Sequence, residues 1–449
     1  MNSIKINNRK FPSIFIFVFG LVIYSFLDNN SIIGSILLIV STFVLIILSF
    51  VESIHKKNIF CLLNIANLFL FFVFVIRAIQ VLIYKDNLNL IYCFEMYQRT
   101  NDVRYSINEY PICKASFIGF IGTFVLNFIC KIKDYSNVTQ VNICNEQISY
   151  RKVILFLFFA IISLLIFLVK GSNIVDSDIH FYDIIWYFLV MYIICYIIFT
   201  KNDATPLVYL LVLISILCFA LTAKRQYIVN ILLSYIISIY YFNKKRTLSF
   251  LKIFLMLSIL LIAVVIYGRI RNDNGDSFVQ DILNEFCMYD MLVVSLKHYE
   301  VHNLGLQYGY NYLAIFTYII PNVSIDSFDH NLTNIVFNGY MRGSVPITLV
   351  GSLYFNYSYF GIVIGTILLG LLINFFERRV NLYNNFELYG IYFILISFIY
   401  DLVRVGNIGR EFWTALISFA LFYIFISTCI DKERGIYFEF GKYLNYKKE

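Results

Sequence analysis

Arg269, Arg271, His302, Asp326, Asp329, His330 and Arg342 fall within one polar stretch, 269–346, of an otherwise apolar chain, with Tyr308, Tyr310 and Tyr312 among them. These residue types suit transfer chemistry on an anionic, hydroxyl-bearing substrate. A guanidinium offers a planar fork of donors that matches phosphate oxygens, which an ammonium does not. His330 directly follows Asp329, and a neutral imidazole beside a carboxylate can take a proton from a sugar hydroxyl. A solvated loop histidine is the plainer alternative. His302, between Glu300 and Asn303, repeats the pattern more weakly. Tyr308 and Tyr310 could stack on sugar rings, although tyrosine also marks membrane interfaces and the chain holds 36 of them.

Other chemistries find little footing. Asp176, Asp178, His180 and Asp183 lie close together, but without further clustering they read as a solvated acidic loop, and no metal site is assigned. No Gly-rich phosphate loop, Walker motif, Ser–His–Asp signature or zinc spacing occurs. No cofactor is therefore expected, and neither ATP-driven transport nor use of a nucleotide sugar is indicated. The nine cysteines are scattered without metal-ligand spacing. Cys93 and Cys113 share one loop and could pair, two unlinked thiols being the plainer reading.

The elements that must position these groups are membrane helices. Hydrophobic residues make up 60% of the chain and charged residues 14%, against about 45–50% and about 25% in soluble domains. Continuous apolar runs of about 20 residues recur, as a helical span requires, and they lack the alternation of a β-barrel. The expected fold is an all-α polytopic membrane protein of about twelve transmembrane helices, with one large outer loop between spans 9 and 10. Spans are placed near 11–27, 31–51, 59–84, 114–130, 152–170, 183–200, 206–222, 226–242, 250–268, 347–374, 387–403 and 411–430. The chain thus divides into helices 1–9 (1–268), the large extracytoplasmic loop (269–346), helices 10–12 (347–430) and a cytoplasmic tail (431–449). The run 11–27 reads as a first span and not a signal peptide, because no small-residue cleavage site follows it.

Orientation follows from basic residues. Lys56–Lys57, Lys131 with Lys133, Arg151–Lys152, Lys201, Lys244–Lys245–Arg246 and Arg378–Arg379 alternate to one side, together with the lysine-rich tail. Cytoplasmic loops carry that excess, so both termini are expected inside. The net charge of +7 suits an anionic inner leaflet and is no argument for nucleic acid. The outer loops instead carry arginines: Arg99, Arg104, Arg225, Arg269, Arg271, Arg342, Arg404 and Arg410. Their number points to a phosphate-bearing ligand, with interface snorkelling as the alternative for any one of them. Arg77, inside the third span, is expected to snorkel to the outer face. Asp401 and Arg404, spaced i, i+3, can pair on one helix face.

Two apolar segments depart from straight spans. The run 312–321 is too short to cross and reads as interfacial or re-entrant. The segment 347–374 is longer than one span needs, and Asn356–Tyr357–Ser358 with Gly361 interrupts it. A short half-helix leading into span 10 is expected there, and such a break survives only where it lines a cavity or is buried in protein.

Outer arginines, about twelve spans and a large loop late in the chain together resemble the Wzy-type polysaccharide polymerases, the O-antigen and capsular repeat-unit polymerases of bacteria. The local resemblance lies in 321–370. Pro321 leads through the loop to GSVPITLVGSLYFNYSYFGIVIG at 343–365, which looks like the family's Gly/Pro-rich loop exit into the next helix. Thr222–Ala223–Lys224–Arg225 looks like its arginine-bearing turn, and 404–410 like its last outer loop. Asn322 stands where the family often has a basic residue. Asp329–His330–Asn331 also looks somewhat like the loop histidine of the related O-antigen ligases.

The resemblance implies a metal-independent glycosyltransferase in the cytoplasmic membrane of a bacterium, acting on polyprenyl-diphosphate-linked oligosaccharides among membrane lipid. A flippase and a chain-length regulator are the implied partners. Arg225, Arg269, Arg342, Arg404 and Arg410 are the candidate diphosphate ligands, His330 and Asp329 the candidate bases, and Tyr308 and Tyr310 the candidate sugar platforms. An O-antigen ligase and a lipid-linked oligosaccharide flippase remain the alternatives. A secondary transporter would show two similar halves, and none is visible.

Overall fold

In lipid, backbone N–H and C=O groups must be satisfied within the segment itself, so long apolar runs become helices. The computed structural model describes residues 10–134, 286–309, 312–313, 328–339, 345–379 and 387–406, with Leu416 and Ala420. Among these, all regular structure is helical: α1 (Lys10–Phe26), α2 (Ile32–His55), α3 (Leu62–Ile83), α4 (Tyr92–Thr100), α5 (Ile112–Ile129), α6 (Met288–Val301), α7 (Phe328–Val336), α8 (Thr348–Arg379) and α9 (Glu387–Val405). Of these, α2, α3, α5 and α8 are long and apolar enough to cross a membrane, and α1 is a shorter apolar helix. The helices coincide closely with the spans expected at 11–27, 31–51, 59–84, 114–130, 347–374 and 387–403. The expected spans between 152 and 268, and nearly all of 411–430, lie outside the described residues.

Local chemistry explains the helix ends and faces. Ser31 caps α2 by accepting the Gly34 N–H at 3.0 Å, satisfying one of the donors a helix start leaves free. Within α2 the hydroxyls of Ser41, Thr42 and Ser53 donate to the carbonyls one turn earlier, which silences them inside an apolar segment. Phe11, Phe15, Val18, Phe19 and Val22 of α1, with Ile33, Val40 and Ile47 of α2, are exposed. An apolar face of that extent suits lipid rather than water, and the protein is a membrane-embedded helical protein.

Packing between the helices uses small residues and paired polar groups. With no hydrophobic force between helices in lipid, close approach and hydrogen bonds hold them together. Gly34 of α2 leaves room for the Cys113 thiol, and Gly122 of α5 for the Val350 side chain. The Ser35 and Ser116 hydroxyls bond across the α2–α5 contact at 2.7 Å. Asn67 of α3 and Asn127 of α5 exchange reciprocal amide bonds of 2.9 and 3.0 Å.

The contacts define two ends. At one, Cys113 N–H donates to Asn29 at 2.9 Å, joining the α1–α2 turn to the start of α5, and the Tyr24 and Tyr359 hydroxyls meet at 2.6 Å. At the other, the Leu62 N–H and the Tyr392 hydroxyl donate to the Glu377 carboxylate at 2.7 and 3.0 Å, while Asn374 donates to Ile129 at 2.9 Å. Hence α1, α3 and α9 run toward the first end, and α2, α5 and the last part of α8 run back. That first end is where α4, α6 and α7 gather, and it is called the loop end below.

A buried ion pair and a broken helix at the loop end

The segment carrying α6 is docked into the bundle. Its Asp290 and the Arg77 of α3 are both fully buried. Arg77 Nε donates to both carboxylate oxygens at 3.0 Å, Nη2 makes the ion pair with Oδ2, and Nη1 donates to the Gln80 side chain. A π-helical stretch, Phe72–Arg77, interrupts α3 at this point; such bulges re-aim side chains and recur at functional sites. Arg77 was expected to snorkel, and here the structure corrects the sequence. Its charge is met by a carboxylate inside the protein, so reaching the interface is unnecessary. Asp290 was missed by the sequence reading. The signal was a single acid in the apolar run 286–296 facing a single base in an apolar span, since charges at such depth come in pairs.

Beside this pair lies a thiol contact. Cys287 stands at the N-cap position of α6 without a side-chain capping bond, and the buried Cys93 of α4 reaches its carbonyl with Sγ at 4.0 Å. Cys93 therefore meets α6, while Cys113 points at Gly34 of α2, and both are free thiols, in line with the plainer expectation of two unlinked cysteines. Arg404 is half-buried in the last turn of α9.

The second feature is the break in α8. Tyr357 (φ −140°, ψ 17°) and Ser358 (φ 58°, ψ −154°) leave the helical region, where the sequence reading expected an interruption. The chain reverses there. A Cβ on Gly361 would sit 2.5 Å from the Leu353 carbonyl oxygen, and one on Gly365 2.5 Å from the Leu353 side chain. In a straight helix residues 353 and 365 would stand about 18 Å apart. The arm 348–356 thus folds back on the arm 359–379, which at about 31 Å is still long enough to span.

The short arm reaches into the bundle. Its Val350 packs on Gly122, ten residues into α5 and so about 15 Å below the loop end. The Thr348 carbonyl lies against Gly406, whose φ of +70° and 2.7 Å clearance leave no room for a side chain. At the arm's other end the segment 307–309 supplies what the helix end lacks. Gln307 N–H and Tyr308 N–H donate to the Phe355 and Asn356 carbonyls at 3.1 and 3.2 Å, satisfying acceptors that a C-terminus leaves open. Gly309 N–H bonds the Asn356 side chain at 2.8 Å. Gly309 is required by its φ of +77° and by the Tyr357 hydroxyl pressed against it. Tyr308 itself stands 75% exposed.

The expected base pair of residues sits on α7. Asp329 is buried and His330 half-buried. Thr333 donates to the Asp329 carbonyl at 2.7 Å and accepts the Val345 N–H at 2.9 Å, which ties α7 to the chain entering the short arm. Arg404 lies two residues before Gly406, and so near the Thr348 end of the short arm, which α7 reaches through Thr333 and Val345. Arg225, Arg269, Arg342, Arg410 and Tyr310 lie outside the described residues.

His302 is exposed, with its ring 4.3 Å from that of His298. His298, also missed by the sequence reading, is 5% exposed, and its Nδ1 has no hydrogen-bond partner among the described residues. Burial, and then the neighbouring His302, push its imidazole down to about 4. Glu300 pairs with Lys114 of α5 at 3.0 Å, a partly exposed contact worth about 0–1 kcal/mol. An exposed imidazole and an exposed tyrosine at the loop end can accept a proton and support a sugar ring, and the half-buried Arg404 could hold an anion. No family model, curated protein or solved structure matches this chain.

Proposed function

We propose that the chain polymerises polyprenyl-diphosphate-linked oligosaccharide repeat units at the outer face of a bacterial cytoplasmic membrane. In that reaction the anomeric carbon–oxygen bond of the growing chain breaks, leaving the lipid diphosphate. A hydroxyl of the incoming repeat unit forms the new glycosidic bond and gives up its proton. His330, the more accessible of the expected bases, takes that proton, with Asp329 beside it in the chain. Arg404 faces the diphosphate charge, together with Arg225, Arg269, Arg342 and Arg410. Tyr308, and with it Tyr310, offers an aromatic surface to the sugar.

The observation that carries this reading is the docking of the loop helices into the bundle. The Arg77–Asp290 pair ties α6 to α3 and the 307–309 cap ties the segment around Tyr308 to the short arm of α8, while Thr333 ties α7 to the chain entering that arm, whose Thr348 lies against Gly406, two residues after Arg404. A diphosphate leaving group needs fixed positive charge where its own charge develops, and arginine supplies it in a fork suited to phosphate. The reading takes the chain as about twelve spans with both termini cytoplasmic, as the basic residues of its loops suggest.

The test is deletion in the host followed by sizing of the surface glycan and of the lipid-linked intermediates. Loss of the long ladder with single repeat units still exported supports polymerisation. Full-length polymer stranded on the lipid carrier would identify a ligase instead, and repeat units trapped inside a flippase. Complementation with Arg404→Ala should lower polymer formation by about 10²–10³-fold, as for removal of an oxyanion donor. An Arg404→Ala protein that is expressed and restores the full ladder removes that assignment.

A further inference from the structure

The C-terminal turn of α6 holds two histidines four residues apart, the spacing that metal-binding helices use. The His302 N–H donates to the His298 carbonyl at 3.0 Å. The helical rise therefore persists to residue 302, and the two side chains leave one face a turn apart. Their ring centres lie 4.3 Å apart. Two imidazoles sharing one ion at metal–nitrogen distances of about 2.0–2.1 Å have ring centres about 4.5–5 Å apart. Little movement separates the two arrangements, and His302 is exposed, where side chains reorient readily. His298 supplies a second, independent observation. It is only 5% exposed, yet its Nδ1 has no hydrogen-bond partner among the described residues. Buried polar atoms are almost always partnered, and an exception calls for a cause. The Tyr97 ring packs beside it with centres 5.9 Å apart. Of the nearby cations, Lys297 lies over the Tyr105 ring and Lys114 is paired with Glu300. Burial, and then His302, keep His298 neutral at ordinary pH, which is the form that ligates a metal.

We infer that His298 and His302 form a binding site for a divalent transition-metal ion of the zinc, nickel and copper class, held between the two rings at the end of α6. His298 Nδ1 and one ring nitrogen of His302 each donate a lone pair to the ion. Imidazole suits these metals, whereas magnesium and calcium seek oxygen ligands. Among the described residues no group of three histidine, cysteine or acidic side chains is gathered, so water takes the remaining positions. The site is thus a two-point chelate and not a closed structural centre. An ion there clips the turn whose Glu300 pairs with Lys114 of α5 and which leads into the 307–309 cap. The proposed glycosyl transfer uses neither histidine, so the glycan assay and the metal test fail separately.

The experiment is equilibrium dialysis of the full-length protein against zinc chloride, in detergent, after stripping with a chelator and with a purification tag that contains no histidine. The chain holds five histidines, so the site must be located as well as counted. His302→Ala removes an exposed ligand without opening the interior, and His55→Ala, an exposed histidine on α2, is the control. The expected result is a zinc ion that His302→Ala binds at least tenfold more weakly and His55→Ala binds as the native chain does. Nickel should compete for it and magnesium should not. Carbethoxylation of histidines, mapped by peptide mass spectrometry, gives a second readout: zinc should shield His302 and leave His55 reactive. A chain that binds no zinc overturns the proposal. Zinc binding that His302→Ala leaves unchanged, or zinc that fails to shield His302, overturns it equally.

Discussion

At the scale of single residues, the Arg77–Asp290 pair is where physical chemistry constrains the molecule most. Two charges lie where neither is exposed, and removing one leaves the other unpaired in the interior. Arg77→Met is expected to destabilise the protein by about 3–5 kcal/mol, whereas Arg77→Met with Asp290→Leu should be near neutral or stabilising. Thermal unfolding in detergent measures both, and additive losses in the double variant would contradict the pairing. His298 sets a pH dependence. Its folded value of about 4 lies below the ordinary 6.5, so the unfolded chain binds the proton more readily. The stability it contributes is present above about pH 6.5 and is lost as pH falls toward 4. Unfolding temperature should therefore drop across that window, and His298→Phe should flatten the drop. An unchanged slope would place the acid sensitivity elsewhere.

Among the elements, α8 shows how a local break makes a tertiary feature. Ser358 holds a backbone conformation that glycine adopts freely and other residues only under strain of about 1–3 kcal/mol. Ser358→Gly is expected to raise the unfolding temperature. Gly361→Val should lower it, because a Cβ there meets backbone at 2.5 Å and overpacking costs about 1–3 kcal/mol or more. Opposite signs from two substitutions three residues apart are a demanding outcome; equal signs would mean that the reversal does not persist in solution. The break itself was legible, since Asn–Tyr–Ser followed shortly by glycine interrupts an apolar run too long for one span. The fold-back was not, because it depends on the 307–309 segment arriving to take up the carbonyls of 355 and 356, nearly fifty positions away.

For the whole molecule, alternation is the central property. The described helices pass between two ends, with Lys56, Lys57, Lys131 and Lys133 at one and the loop helices at the other. Alkaline phosphatase fused after His302 should be active and a fluorescent protein fused to either terminus should fluoresce, as expected if the lysine-rich end is cytoplasmic. The reverse pattern would invert the molecule and remove the outer-face reaction.

The sequence by itself determined the helical membrane class and the positions of the described spans. Both depend on composition and run length, which survive whatever the neighbours are. It also singled out Asp329, His330 and Arg404 as candidate polar groups of one side, because basic alternation sorts segments to sides before any packing is known. Only tertiary structure decided that Arg77 is buried against Asp290, that Cys93 meets Cys287 and not Cys113, and that the first arm of α8 turns back into the bundle. Each of these is a contact between residues far apart in the chain. A lone charge, a lone thiol or an unsatisfied carbonyl states a need, and which distant group meets it is settled by packing.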